Sequence, residues 1–523
     1  MSRKKNGIPE TILIITLIIV LITIIIPNQN KIKDMQIEIN TNNKMYNNEY
    51  GVSASNEIAT NVGMEILEQG GNAVDAAIAI AYTLGVVEPY ASGIGGGGGM
   101  LIYSPENEEL SFYNYRETAP ITQENKNSEI GVPGFVKGME VIHKDYGTIE
   151  LSKLIEPAIH YANDGFRVDS SLYTRLKRSK FRLDTEKLDI FYKDNKSINI
   201  GEKLIQKELG NTLTEIKKHG IEAFYNGKIS NEIEKNTNIV KEDLKQYTVV
   251  KQKPIRGMYR GYEIISAPPP FSGITLIQTL KLSELFEITS VDRENKYYMK
   301  KIKDIKEITY KDRYKQIGDP NFYEKNYDVL TSDKYINRLY NKNRKSTYIE
   351  NYNEEEHEST THFTVIDKEG IIVSCTNTLG NFWGSGVYIN GFFMNATLNN
   401  FSEKEDNINS YEAGKRPRTF TSPTIIKNEE EILALGSSGG NRIPQILSQV
   451  IIDNICSKTD IQEAINKPRV IIEENEIIKE ENFRFNENED RAYYGSVQAI
   501  GYNKYLGMYG GCDIRRPGRF LKK

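Results

Sequence analysis

Residues 357–367 read HESTTHFTVID. A polar, acid-rich run at 351–358 stops abruptly, and an alternating strand begins behind Ser359, Thr360 and Thr361. Threonine favours strand starts for ordinary reasons of β-propensity, so the position gains meaning only from its surroundings. Two strands, 361–367 and 371–378, flank Asp367-Lys368-Glu369-Gly370. A three-residue loop with a left-handed Gly370 pairs residue 367 with 371. Paired residue numbers then sum to 738, which sets Thr360 opposite Thr378 at the open end of a hairpin. Cross-strand threonine pairs are common in sheets, but at an open end the second hydroxyl can orient the first.

Threonine is a weak nucleophile at neutral pH and needs a base. No histidine–carboxylate pair is evident, and His362 shares a face with Thr360 only through strand alternation. Cutting the peptide bond before Thr360 supplies a base directly, because the freed α-amine has a pKa of about 7.7–8.0. The polar linker 341–358 can then move away from the site. Acyl chemistry also needs oxyanion donors. LALGSSGGNRIP (433–444) ends a strand at Gly439 and Gly440 and starts a helix. Paired glycines there can aim two backbone N–H groups at one point, although a plain turn uses the same residues.

The chain of 523 residues suits two to four domains or one large sandwich. A net charge of -4 argues against a general nucleic-acid binder, yet leaves room for a local basic groove. Three scattered cysteines give no disulfide framework, and five histidines show no ligand spacing. Neither a catalytic metal nor a cofactor is expected. At the amino terminus Arg3-Lys4-Lys5 precedes TILIITLIIVLITIII (11–26), an uncharged apolar run. It is short for a membrane span but workable with snorkelling or local thinning. No A-x-A site follows it, and the positive flank stays inside. The expectation is a single-pass cell-membrane protein with an extracellular catalytic domain. Residues 1–27 form the cytoplasmic tip and signal anchor, and 28–50 a tether. A cleaved signal peptide is the alternative.

Further along, two helices meet at Gly70-Gly71, the second apolar nearly all round and therefore buried. SGIGGGGGM (92–100) has no phosphate-loop pattern, so its glycines point to close backbone approach and positive φ beside a site. Residues 134–230 read mainly as helices, and GYEIISAPPPFSG (261–273) as a strand entering a rigid proline turn. Residues 293–315 make a basic helix with a solvated face. Strands then dominate: 361–367, 371–378, 386–394, 423–427 and 431–436. A helical half followed by a strand-rich half predicts a layered α+β sandwich.

In order, GGNAVDAA, GVVEP, SGIGGGGGM, YRETAP, GVPGF, APPPFSG, STTHF, GKRPR, SPT and GSSGGNRI resemble the γ-glutamyltransferase family, with DIRRPG (513–518) as a weaker closing match. The resemblance runs from about Gly51 to the carboxyl end. It implies an N-terminal-nucleophile αββα sandwich, autoprocessed into a large subunit, 51–359, and a small subunit, 360–523. It further implies cleavage between Ser359 and Thr360, with Thr360 as nucleophile and Thr378 as its supporting threonine. Gly439 and Gly440 would form the oxyanion hole. Arg116 of YRETAP would bind the glutamyl α-carboxylate, a contact suited to a guanidinium fork.

Three departures bear on substrate. Glutathione-type members place Leu-Asn after the supporting threonine, where this chain has Leu379-Gly380. Their DDFS-like segment reads Leu398-Asn399-Asn400-Phe401-Ser402, and their Ser-Ser pair before SPT is Thr419-Phe420. An aspartate pairs with a free α-ammonium, whereas Asn400 suits the amide nitrogen of an internal γ-linked glutamyl residue. These replacements resemble the capsule-anchoring branch, whose members cut poly-γ-glutamate and attach it to the cell wall. The resemblance implies a poly-γ-glutamate or other γ-glutamyl donor contacting Asn400 and Thr419. An amine acceptor, with peptidoglycan as a candidate, or water would complete the reaction. Lys415, Arg416 and Arg418 can meet such a polyanion or simply face solvent. One alternative is a glutathione hydrolase-like γ-glutamyltransferase. Another, of a different class, is a non-catalytic, surface-anchored polyglutamate-binding protein.

Overall fold

Two antiparallel sheets occupy the middle of the fold in a computed structural model that describes residues 48–343, 359–474, 476–481 and 491–523. The first has seven strands in the order Arg519–Lys522, Gly51–Ala54, Thr360–Ile366, Ile372–Thr378, Gly97–Ser104, Glu109–Asn114 and Val250–Gln252. The second has six: Gly507–Cys512, Ser496–Asn503, Glu431–Ser438, Thr424–Lys427, Tyr262–Ser266 and Ile255–Tyr259. The central hairpin has the expected register, with Thr360 opposite Thr378 and Gly370 at φ 82°.

Strand alternation divides this hairpin into an apolar face and a polar one. Phe363, Val365, Val373 and Cys375 join the core under the helices Glu57–Glu68 and Ala73–Val87. Full burial of such apolar side chains contributes about 1.5–3 kcal/mol each. Thr360, His362, Thr364, Ser374, Thr376 and Thr378 alternate with them and face the second sheet. Small or hydrogen-bonding groups there let the sheets approach closely. Ser374 donates to the Leu435 carbonyl at 3.2 Å, and Gly436 lies so near the His362 ring that a Cβ would fall 2.3 Å from it. The helices Gly273–Leu285 and Ile443–Ser457 cover the outer side of the second sheet in a separate core. The result is the expected helix–sheet–sheet–helix sandwich.

The helices around Gly70-Gly71 form as expected, and the second starts in a capping box between Asn72 and Asp75. Within the glycine-rich run only Gly93 has a positive φ, 155°, while the rest serve close approach. A Cβ on Gly96 would sit 2.3 Å from the Thr378 carbonyl oxygen. The strand expected at 386–394 is instead a small hairpin, Tyr388–Ile389 against Phe392–Phe393. Asn390 and Gly391 turn it with φ 49° and 87°, the Asn-Gly signature of a type I′ turn. Tyr50 exchanges two 2.9 Å backbone hydrogen bonds with Lys523, so ordered pairing begins one residue before Gly51. The segments expected as anchor, 11–26, and tether, up to residue 47, and the linker residues 344–358 lie outside the described residues. No described helix is long and apolar enough to cross a membrane.

Candidate active site

Thr360 opens its strand and is 2% exposed. The carbonyl of Ser359, immediately before it, accepts a hydrogen bond from Thr378 Oγ1. Thr378 Oγ1 in turn accepts the Gly380 N–H at 2.9 Å, which leaves its single proton for Ser359. Gly380 adopts φ 83°, and a Cβ there would meet the Thr397 nitrogen at 3.0 Å. Glycine at this position therefore permits the turn that orients Thr378.

Gly439 and Gly440 follow the strand Glu431–Ser438 at φ 131° and 57°. A turn, Gly440–Arg442, then leads into the helix Ile443–Ser457. The first amides of a helix lack intrahelical acceptors, so this junction presents N–H donors. Two cross-sheet contacts place it. Ser374, opposite Thr364, touches Leu435, and His362 lies over Gly436. Stepping from Thr364 to Thr360 therefore runs alongside the step from Leu435 towards Gly439, bringing Thr360 and the glycine pair towards the same end of the sandwich. Helix Lys296–Gln316 supports the turn, since Tyr310 donates its hydroxyl to the Asn441 carbonyl. Arg442 reaches Glu473 at 3.4 Å.

The three substrate-binding candidates converge on one backbone segment. Arg116, fully buried, donates from Nε to the Pro417 carbonyl at 2.7 Å and from Nη2 to the Arg418 carbonyl at 3.0 Å. Asn400 donates from Nδ2 to the same Arg418 carbonyl at 3.2 Å. Thr419 is next in the chain, with its hydroxyl 3.1 Å from that of Thr421. Phe420 follows, with the Arg313 guanidinium 3.5 Å over its ring and Tyr310 at 5.2 Å.

Lys415, Arg416 and Arg418 correct the sequence reading, for they neither face solvent nor lie open to a polyanion. All three are at most 3% exposed. Lys415 pairs with Glu412 at 2.6 Å, and Arg416 donates to the Thr248 carbonyl at 2.5 Å. Arg418 spans the carbonyls of Arg313, Tyr314 and Ile317 at 3.3, 2.8 and 3.3 Å, capping the C-terminal end of helix Lys296–Gln316. Cations are favoured at such an end. His362 also has a structural setting. Its Nδ1 lies 2.8 Å from Thr376 Oγ1, and burial pushes its pKa down to about 3, so the ring is neutral. Sequence reasoning missed Tyr310, the Gly380 N–H and the contacts of the Ser359 side chain. Only Gly380, already conspicuous after the supporting threonine, carried a signal for its part.

An αββα sandwich with a threonine at the open end of a central strand defines the N-terminal-nucleophile class of autoprocessed enzymes. The family model described as Gamma-glutamyltranspeptidase matches residues 59–521, and the chain belongs to that family. It is 46% identical over 484 residues to the capsule biosynthesis protein CapD proenzyme of Bacillus anthracis, covering 90% of each chain. Its identity to the glutathione hydrolase proenzyme of Escherichia coli (strain K12) is 34% over 464 residues, covering 80% of each. Cephalosporin acylase from Bacillus halodurans shares the fold with a TM-score of 0.79 at 24% identity, covering 91% of this chain and 96% of that one. The protein is thus a γ-glutamyl-transferring or hydrolysing enzyme made as a proenzyme.

Proposed function

We propose that this enzyme matures by cutting between Ser359 and Thr360, then cleaves poly-γ-glutamate and transfers it to a cell-wall amine or to water. The observation that carries the maturation reading is the hydrogen bond from Thr378 to the Ser359 carbonyl, directly across the hairpin from Thr360. After the cut, the Thr360 amine takes the proton of its own hydroxyl, and the hydroxyl attacks a γ-glutamyl amide. Gly439 and Gly440 stabilise the oxyanion, and a γ-glutamyl ester forms on Thr360. An amine or water then releases it.

Asn400 supports the polymer as donor. Its Nδ2 donates to the Arg418 carbonyl, and its amide oxygen is a neutral acceptor. A neutral acceptor fits the amide N–H of an internal glutamyl residue, whereas a free α-ammonium calls for a carboxylate. Arg116 and Thr419, gathered at the same segment, supply the contacts to the α-carboxylate side. Similarity to a relative named for capsule biosynthesis agrees with this donor and with a protein tethered at the cell surface.

Intact mass and denaturing gels of the purified chain beside Thr360→Ala test maturation. The expected result is two fragments, the smaller beginning Thr-Thr-His-Phe, and a single chain from the variant. Competition between poly-γ-glutamate and a γ-glutamyl anilide tests the donor. Faster turnover of the anilide would favour a glutathione hydrolase-like enzyme.

A further inference from the structure

The side chain on the acyl side of the cut has partners of its own. Ser359 is fully buried, and its hydroxyl lies 3.0 Å from the Ala91 carbonyl oxygen and 3.3 Å from that of Tyr90. One O–H therefore serves two acceptors. Those carbonyls belong to the turn 88–92 that ends the helix Ala73–Val87. The turn closes through the N–H groups of Ala91 and Ser92 on the Glu88 carbonyl, at 2.9 and 3.3 Å. It is also pinned from outside. Trp383 donates its backbone N–H to the Tyr90 carbonyl at 2.9 Å, and the Glu88 carboxylate meets the Arg516 guanidinium at 3.1 Å in full burial. Residue 359 is thus held at two points, by its hydroxyl on this turn and by its carbonyl on Thr378.

We propose that the Ser359 hydroxyl is a positioning group for maturation. It fixes the rotation of the scissile peptide, so that the carbonyl stays on Thr378 and its carbon stays within reach of Thr360 Oγ. The inference rests on cleavage between Ser359 and Thr360. In that reaction Thr360 Oγ adds to the Ser359 carbonyl carbon and gives up its proton. The bond from that carbon to the Thr360 nitrogen breaks, and the nitrogen takes a proton. An ester now joins the Ser359 carbonyl to Thr360 Oγ. Water hydrolyses it, leaving a carboxylate on Ser359 and a free amine and hydroxyl on Thr360.

The first step closes a five-membered ring, which tolerates little misorientation of the carbonyl. Thr378 donates to the oxygen on which negative charge develops, and that donation requires the same orientation. The Ser359 hydroxyl exchanges no proton in any step, so its part is geometric. Once the bond is cut, Ser359 ends the large subunit and no longer constrains Thr360. Its loss should therefore slow maturation and spare turnover.

The test follows precursor loss on gels, with amino-terminal sequencing, for the parent full chain, Ser359→Ala and Ser359→Thr. The alanine variant should mature about five- to tenfold more slowly, the effect of one lost hydrogen bond. The threonine variant, which keeps a hydroxyl, should recover most of the rate. Activity per mole of free Thr360 amine should match the parent in both. Equal maturation rates for parent and Ser359→Ala would overturn the proposal. So would turnover that falls in proportion to maturation, or a melting temperature of the uncut Thr360→Ala chain that drops in step when Ser359→Ala is added. A parent that never cuts before Thr360 removes the maturation reading itself, a result distinct from these.

Discussion

Acidification of the folded chain is expected to act through His362. The ring lies fully buried between the sheets, with Nδ1 on Thr376 and Nε2 without a hydrogen-bond partner among the described residues. Burial lowers its pKa to about 3, against 6.5 for an unperturbed histidine. Between those values the unfolded chain binds a proton that the folded chain refuses. Stability is therefore unaffected above pH 6.5 and falls as pH drops through the window towards 3. From pH 7 to pH 5 the loss comes to about 2 kcal/mol. Glu88 works in the opposite direction, since burial raises its pKa from 4.5 to about 7 and it costs stability as pH rises through that range. A difference measurement separates the two. Urea unfolding of the uncut Thr360→Ala chain, with and without His362→Gln, should be compared at pH 7 and pH 5. The histidine chain should lose about 2 kcal/mol more than the glutamine chain. An identical pH dependence in both would refute the reasoning, because the imidazole would then titrate alike folded and unfolded.

Four other outcomes follow from the site. Thr378→Val removes the donor to the Ser359 carbonyl and should slow maturation about tenfold or more, as read by precursor loss. Tyr310→Phe removes the hydroxyl that donates to the Asn441 carbonyl and should lower kcat about tenfold with little change in KM, while an unchanged kcat would show that the turn holds without it. Gly439→Ala imposes a side chain at φ 131° with its Cβ 3.0 Å from Ile446, and steady-state assays should show activity reduced about 100-fold. Asn400→Asp should shift preference about tenfold towards γ-glutamyl anilides that carry a free α-amine. A constant ratio of anilide to polymer turnover would count against the assigned contact.

The hairpin was legible because its determinants are local. Gly370 sets the turn, the turn sets the register, and the register pairs Thr360 with Thr378. Family motifs likewise identified the sandwich and the glycine pair at the strand–helix junction. The reading of 386–394 failed because continuous apolar character concealed the Asn390-Gly391 turn, although the dipeptide itself is a hairpin signal. For 415–418, charge in the sequence points to exposure, but the side chains are buried. Buried arginines can instead satisfy main-chain carbonyls, and a carbonyl is present at every residue and so leaves no mark in sequence.

From sequence alone came the hairpin register, the opposition of the two threonines and the asparagine at position 400, where the resembling family has an acid. Those features depend on neighbours a few residues apart or on side-chain identity. Tertiary structure decided that Arg116 and Asn400 meet on the Arg418 carbonyl, that Tyr310 reaches the Asn441 carbonyl, and that Ser359 is tied to the turn 88–92. In the first and last of these, residues about 270 to 300 positions apart are joined, and all three arise from how helices and sheets pack. Each uses a backbone carbonyl as acceptor, so which carbonyl is used is set by the fold and not by any side chain that could be read beforehand.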